Sequence, residues 1–578
     1  MRIGYYLHKR CVMYDLKTPW SDKSDTTAYP RPQLNRQSYH SLDGQWQYKI
    51  QKGNLDCSVE GLFDGVIKVP FSPECTLSGV NKFLAPDDVL IYRRKFPTHE
   101  KDKLAILHFG AVDYECKVFL NGCLVGYHIG GYTAFEWEVS QYLQDQNILE
   151  VRVIDPSDTM PISRGKQKID HGGIWYTPTS GIWQSVWIEY VPNTYIKSLK
   201  ITPNLDEKFV TVKVNASAPC EAQIILNGKT YPTQNSSVCV PIPEPREWSP
   251  EDPYLYFFDV VCEDDKVHSY FAMRKFSVGK REDGKPCFML NNKPYFMSGL
   301  LDQGYWSDGL YTAPSDEALI YDIKLAKECG FNTLRKHIKI EPLRWYYHCD
   351  RLGMIVWQDF VNGGGNYNKM AILALPNIGI NVKDSNYSFY ARKDKVGRDL
   401  YYKEMSEVVD QLFNCPSIAL WTPFNEGWGQ FDSLKVCEYL KSLDNTRLLD
   451  HASGWSDQGG DIRSIHKYFV KFKMPRREKR PVSLSEYGGY AMKVDGHTFV
   501  DKAFGYATYD DQKSLDEALK NLWKNEIIPA KEQGLCAAIY TQMSDVQSEV
   551  NGIVTYDRQI VKVDVKALKA LNDELVGK

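Results

Sequence analysis

Over roughly the first half of the chain, apolar and polar positions alternate in short runs with a period of two, as in strands that turn one face to a core. Trp46 to Ile50, Leu90 to Phe96, Lys103 to Phe109, Cys116 to Leu120 and Ile148 to Val153 follow one another, with turn signals such as Asn121-Gly122 between them. This pattern predicts an antiparallel β-sandwich. It closes with Ser180-Gly-Ile-Trp-Gln-Ser-Val-Trp-Ile-Glu-Tyr190, and Val191-Pro192-Asn193 reads as a boundary. A smaller set of strands follows: Phe209 to Val214, Ala222 to Leu226, and Tyr256 to Val261, with Asn227-Gly228 as a hairpin turn. It has the size of an immunoglobulin-like sandwich, without that fold's Cys-Trp-Cys pattern.

From Phe288 onward the period changes. Ser315 is a predicted N-cap with Asp316 and Glu317 in the first turn, Leu319, Ile323 and Ala326 share a face, and Gly330 closes the helix. A second helix runs from Leu343 to Leu352 and stops at Gly353, a third ends near Asn414, and a later one carries Leu515, Leu519, Leu522 and Trp523. Between such segments lie eight short apolar strands: Phe296 to Ser298, Asn332 to Leu334, Met354 to Trp357, Ile418 to Trp421, Leu448 to Asp450, Ser464 to His466, Val482 to Ser485, and Ala537 to Tyr540. Eight strands alternating with helices predict a (β/α)8 TIM barrel, with its functional face at the C-terminal strand ends. The expected architecture is a jelly-roll-like β-sandwich over residues 1–193, an immunoglobulin-like β-sandwich over 194–283 and the barrel over 284–578.

Composition narrows the function classes. A formal charge of -3 and the lack of a long arginine-lysine run argue against a nucleic-acid partner. The N-terminus lacks the apolar core of a signal peptide and no later stretch is long enough to span a bilayer, so no membrane partner and a cytoplasmic location are expected. The 14 cysteines are scattered without CxxC pairs, which favours reduced core cysteines over disulfides or zinc. A homo-oligomer is compatible with the sequence.

The chemistry concentrates in two stretches. Ser417-Ile-Ala-Leu-Trp-Thr-Pro-Phe-Asn-Glu-Gly-Trp-Gly-Gln430 delivers Asn425 and Glu426 from the fourth strand into a Gly- and Trp-rich loop, where an exposed carboxylate has little structural use. Pro481 to Tyr490 repeats the design and ends its strand at Glu486. Paired carboxylates suit glycosidic cleavage, in which one protonates the leaving oxygen while the other meets charge developing at the anomeric carbon.

With Gly181-Ile-Trp-Gln, Asn425-Glu426, Ser485-Glu486-Tyr487, Trp248-Ser-Pro-Glu-Asp-Pro-Tyr254 and Gly330-Phe-Asn-Thr-Leu-Arg335, the chain resembles glycoside hydrolase family 2, the β-galactosidases, β-glucuronidases and β-mannosidases. The resemblance implies a sugar-binding-like first domain, Glu426 as acid/base, Glu486 as nucleophile and Asn425 on the sugar 2-hydroxyl. It further implies Arg335 steadying the nucleophile's charge and Tyr468 beside it. His466 could bind ligand or serve structure equally well.

Departures from the family pattern bear on the sugar. Where relatives place an Asp that reaches a distal hydroxyl, this chain has Trp175, and where glucuronidases carry Asn-x-Lys it has Glu549-Val-Asn-Gly552. Glu549 would repel a uronate, although Lys336 could supply a substitute cation. The region Asp359 to Gly365 lacks the Glu and His with which large β-galactosidases bind magnesium, so no catalytic metal and no cofactor are expected. Asp302 and Gln303 are candidates for hydroxyl recognition, joined by His337 and Asp545, and Trp175, Trp306 and Trp428 for apolar walls. The expected function is an exo-acting, retaining β-glycosidase with a β-galactoside as first choice; β-glucuronide, β-mannoside and α-L-arabinopyranoside stay open. The alternative of another class is a carbohydrate-binding protein that has lost catalysis.

Overall fold

The computed structural model describes residues 15–368, 375 and 382–578. The expected sandwich strands form where the alternation places them. A six-stranded sheet containing Gly44–Lys52, Asp88–Pro97, Glu115–Leu120 and Gln146–Ile154 faces a four-stranded sheet containing Leu104–Phe109 and Val186–Val191. Leu90, Tyr92, Val118, Val151, Leu107 and Ile188 fill the space between them. The second sandwich pairs Ile196–Asn204, Phe209–Ala216 and Ser237–Pro241 in one sheet, and Gln223–Leu226, Tyr256–Cys262 and Asp265–Phe271 in another.

One expectation fails in this second sandwich. Cys220 and Cys262 form a disulfide, because Cys220 directly precedes the strand Gln223–Leu226, whose neighbour Tyr256–Cys262 ends on the other cysteine. Sequence separation of 42 residues hides a neighbourhood created by strand pairing. Among the described residues, no helix is long and apolar enough to cross a membrane.

The barrel closes from eight parallel strands, in the order fifth, fourth, third, second, first, eighth, seventh, sixth. They are Met297–Asp302, Thr333–Lys336, Ile355–Asp359, Ile418–Thr422, Leu448–Leu449, Arg463–Lys467, Val482–Gly488 and Leu535–Thr541. The first helix, Asp316–Glu328, is capped by Ser315 Oγ, which accepts from the Ala318 amide, and Gly353 ends Leu343–Leu352 in the left-handed conformation. A small hairpin, Phe276–Lys280 with Pro286–Leu290, packs Phe276 and Phe288 against Met297, Ile355, Ala419 and Ala537 near the strand beginnings. That end is plugged with apolar side chains, which leaves the opposite rim for chemistry.

The first sandwich also reaches the rim. Trp183 and Tyr176 join the barrel's hydrophobic cluster beside Tyr305 and Tyr311, and Trp183 Nε1 donates to the Gly131 carbonyl at 2.8 Å. The Trp of the Gly-Ile-Trp-Gln motif is thus an interdomain anchor. Trp306 is likewise core: 2% exposed, it lies beneath the Arg558 guanidinium at 4.2 Å instead of walling a sugar. The N-terminal segment adds a tie, since the Thr18 amide and hydroxyl both donate to Asp308, at 3.1 and 2.6 Å.

Candidate active site

Glu486 sits within the seventh strand, and Glu426 stands four residues beyond the fourth, in a turn where its own φ is 53°. The turn is held by the Glu426 amide donating to Ser453 O at 2.8 Å and by the Trp428 amide donating to Asn425 O at 2.9 Å. Glu426 is not the exposed carboxylate expected from its loop. Its side chain is 12% exposed, because the Trp455 indole donates to its backbone carbonyl at 2.8 Å and the Trp428 indole to its Oε2 at 3.1 Å.

A buried guanidinium organises the surroundings of Glu486. Arg335, on the second strand, donates Nη1 to Glu486 Oε1 at 3.0 Å and to the Ser485 carbonyl at 3.1 Å. Its Nη2 reaches Asn425 Oδ1 at 2.8 Å, and Nε and Nη2 grip Asp359 at 3.1 and 2.9 Å. Burial alone would make this charge costly, but Asp359 and Glu486 raise the guanidinium above its ordinary value, so it stays cationic. The Tyr468 hydroxyl donates to Glu486 Oε2 and stacks on Tyr506 at 3.9 Å. Burial, then the charge of Glu486, pushes Tyr468 well above the usual phenol value, so it remains a donor.

His466 links the two carboxylates. Its Nδ1 lies 2.7 Å from Glu426 Oε1 and 3.5 Å from Glu486 Oε2. One ligand atom each of Glu426, His466 and Glu486 all fall within 4.8 Å of one another. No other His, Cys, Asp and Glu cluster of this kind occurs among the described residues. Arg335, 3.0 Å from Glu486, already supplies a cation there, which opposes a second one from a metal. Burial drives His337 far below the ordinary histidine value, so it stays neutral; its Nδ1–H donates to Asp359 at 2.9 Å. For Glu426, burial raises the carboxyl, but the His466 hydrogen bond and charge, the Trp428 donor and the Lys166 charge together bring it below its ordinary value.

The other expected site residues divide. Asp302 accepts from Lys336 Nζ at 2.7 Å and from the Gly304 amide at 2.9 Å, and Lys336 also binds Glu341 at 2.8 Å. Lys336 is therefore locked in a buried ionic network and is no substitute cation for a uronate. Gln303 donates to Gln542 Oε1 at 2.9 Å, and Gln542 to Asn551 at 2.8 Å. Asp545 is committed to Lys562 at 2.7 Å and to the Gly552 amide at 2.8 Å. Trp175 meets Trp428 edge-on at 5.0 Å, with Tyr367 stacked beside it at 5.9 Å. Tyr506, Ser453, Tyr176 and Lys166 escaped the sequence reading, because they come from loops and the sandwich, where no strand period marks them. Asp359 could have been found: it is a carboxylate at the end of the third strand.

Residues 283–572 match the family described as glycosyl hydrolases family 2, TIM barrel domain, and residues 84–192 match its sugar binding domain. The chain belongs to glycosyl hydrolases family 2. A β-galactosidase of Thermoanaerobacter pseudethanolicus is 25% identical over 360 residues, covering 56% of this chain and 47% of the relative. A putative β-glucuronidase of Formosa agariphila is 24% identical over 466 residues, covering 74% and 50%. The chain spans about half the length of these curated relatives. Among solved structures, the β-D-glucuronidase of Dictyoglomus thermophilum superposes with a TM-score of 0.72 at 18% identity, covering 95% of this chain and 98% of that one. A family 2 β-galacturonidase from Eisenbergiella tayi bound to galacturonate gives 0.71 at 17%, covering 95% and 99%. At such identities these superpositions speak for the fold.

Proposed function

We propose that this family 2 protein is an exo-acting, retaining β-glycosidase in which Glu486 attacks the anomeric carbon and Glu426 acts as acid/base. The observation that carries this is the approach of one oxygen from each carboxylate to within 4.8 Å on the barrel rim. Direct attack requires roughly 5 to 5.5 Å, whereas an intervening water requires about 6.5 to 9.5 Å. Arg335 and Tyr468 support an ionised Glu486, ready to form the covalent glycosyl intermediate. Asn425, oriented by Arg335, is placed to meet the sugar 2-hydroxyl.

A neutral hexoside of the β-galactoside type is the first choice of glycone. Glu549, 2% exposed, accepts from Tyr176 at 2.5 Å and Asn551 at 3.0 Å and has no cation within ion-pair distance among the described residues. Such a carboxylate suits hydroxyl donors and disfavours a uronate. One observation favours a uronoside as second reading: Lys166, half-buried on the sandwich loop, lowers Glu426 and His337 by its charge and meets no carboxylate within 4.0 Å among the described residues. Purified protein assayed on a panel of nitrophenyl glycosides separates these. Turnover of the β-galactoside, abolished in Glu486→Gln, supports the first; preference for the β-glucuronide or β-galacturonide, lost in Lys166→Met, supports the second. Sugar binding without turnover of any glycoside, unchanged in both Glu426→Gln and Glu486→Gln, would leave only a binding protein.

A further inference from the structure

Glu426 presents a difficulty for the reaction proposed above. An acid catalyst must carry a proton, yet both of its oxygens already accept hydrogen bonds, Oε1 from His466 and Oε2 from the Trp428 indole. Each carboxyl oxygen keeps a second lone pair, but the 2.7 Å contact between Oε1 and Nδ1 is itself closed by one proton, which the two residues share. The proton nearest to hand is the one on His466 Nδ1, 2.7 Å from Oε1.

The other ring nitrogen shows that His466 can give that proton up. Nε2 lies 3.0 Å from Ser453 Oγ and 3.5 Å from Arg335 Nη1. Arg335 has two hydrogens on Nη1, and these go to the Ser485 carbonyl at 3.1 Å and Glu486 at 3.0 Å. Nε2 can therefore carry its own hydrogen toward Ser453 Oγ, an acceptor that stands 3.2 Å from Ser464 Oγ. With Nε2–H satisfied, the ring remains a complete neutral imidazole after Nδ1 is deprotonated. The backbone also makes room for it: Gly454 has φ 94°, and a Cβ there would lie 2.7 Å from the His466 Nδ1.

We propose that His466 is the proton-holding positioning residue of the reaction, storing on Nδ1 the proton that Glu426 delivers to the leaving group. The inference rests on the glycosidase reading above. In the first half, Glu486 forms a C–O bond to the anomeric carbon as the glycosidic C–O bond breaks. The released electron pair takes the proton that Nδ1 passes through Glu426, leaving His466 neutral and Glu426 ionised. In the second half, water forms the new C–O bond, its proton passes through Glu426 back to Nδ1, and the ester pair returns to Glu486. Glycoside and water become sugar and alcohol, with both residues restored.

Charged groups face the ring from several elements. Glu426 and Glu486 lie within 3.5 Å of Nδ1, and Asp359 and Asp450 sense His466 from the third and fifth strands. Arg335 opposes them, as does the charge of Lys166 on the neighbouring Glu426, while His337 is neutral. Burial raises the Glu426 carboxyl, and the His466 hydrogen bond and charge bring it down again.

The test compares wild type, His466→Gln, His466→Asn and Glu426→Gln on two glycosides of whichever sugar wild type prefers, one with a dinitrophenyl and one with a methyl leaving group. His466→Gln can donate a hydrogen bond but cannot store a proton. It should lose about 10²-fold in kcat/KM on the methyl glycoside, within the range of general acid catalysis. The loss on the dinitrophenyl glycoside should be under about 5-fold, since that leaving group needs little protonation. The alkaline limb of its pH profile should move to lower pH, because a carboxyl ordinarily surrenders its proton near 4.3 and an imidazole near 6.5. His466→Asn should behave alike if folded by circular dichroism. Equal losses on both substrates with an unmoved alkaline limb would show a structural histidine and overturn the inference, while leaving-group selectivity in Glu426→Gln kept the glycosidase reading intact. A folded wild type that turns over neither substrate would overturn both.

Discussion

The two carboxylates of the barrel rim are one residue type held in opposite ways. Glu486 lies inside a strand, and its oxygens are taken by a buried guanidinium and a phenol that stays protonated. Glu426 stands in a left-handed turn, and its oxygens are taken by an imidazole and an indole. The first environment pairs the carboxylate with a fixed cation, and in the proposed reaction the second is where a proton enters and leaves. Environments that push like groups apart are how two identical side chains acquire different tasks.

The sharpest way to break the comparison is to neutralise each carboxylate in turn. Glu486→Gln should lower kcat on every accepted nitrophenyl glycoside by about 10⁴-fold or more, because it removes the proposed nucleophile. Glu426→Gln should lose on the order of 10³-fold on poor leaving groups and far less on activated ones. Losses that are uniform and equal in the two variants would mean that the carboxylates do not divide the labour.

Arg335 tests whether the fixed charge is also a matter of stability. Arg335→Met leaves Asp359 and Glu486 buried without their shared cation, and unfolding free energy should fall by about 3–5 kcal/mol in urea titrations. A change below about 1 kcal/mol would show that the site relaxes or takes in water at little cost. Tyr468→Phe, next in size, removes one donor to an ionised oxygen and should lower kcat/KM by about 10- to 100-fold with folding intact.

Most of the barrel was legible because each strand is a short apolar run delimited by helix signals, and all eight expected strands overlap those observed. The position of the two carboxylates was legible for the same reason, since a Glu at a strand's end has nowhere to go but the rim. What the sequence could not disclose was pairing. Nothing local distinguishes Lys336, consumed by Asp302 and Glu341, from Lys166, which meets no carboxylate within 4.0 Å among the described residues. Asp545 reads like a rim carboxylate until Lys562, 17 residues on, is found against it. Trp306 and Trp428 are equally suited to a sugar wall by composition, but one is under Arg558 in the core and the other touches Glu426. The Cys220–Cys262 bond was hidden likewise, by strand neighbourhood rather than by spacing.

The smallest effect concerns the Glu426 side. The Trp428 indole N–H, 3.1 Å from Glu426 Oε2, favours the ionised carboxyl, and the ring packs edge-on against Trp175 at 5.0 Å. Trp428→Phe keeps much of that packing but removes the donor. A long, partly exposed hydrogen bond is worth about 0.5–1.5 kcal/mol, so kcat/KM should change by about 2- to 10-fold. The sign follows from the state the donor stabilises. Losing it raises the Glu426 carboxyl toward its ordinary value, which makes the proton easier to hold and harder to give away. The change should therefore appear in the pH profile of kcat/KM, as a limb displaced to higher pH, and not for Glu486-dependent deglycosylation of a trapped intermediate by an added nucleophile such as azide. A displacement in the opposite direction would mean that the indole holds the sugar rather than the carboxylate, and that the contrast between the two sides rests on His466 alone.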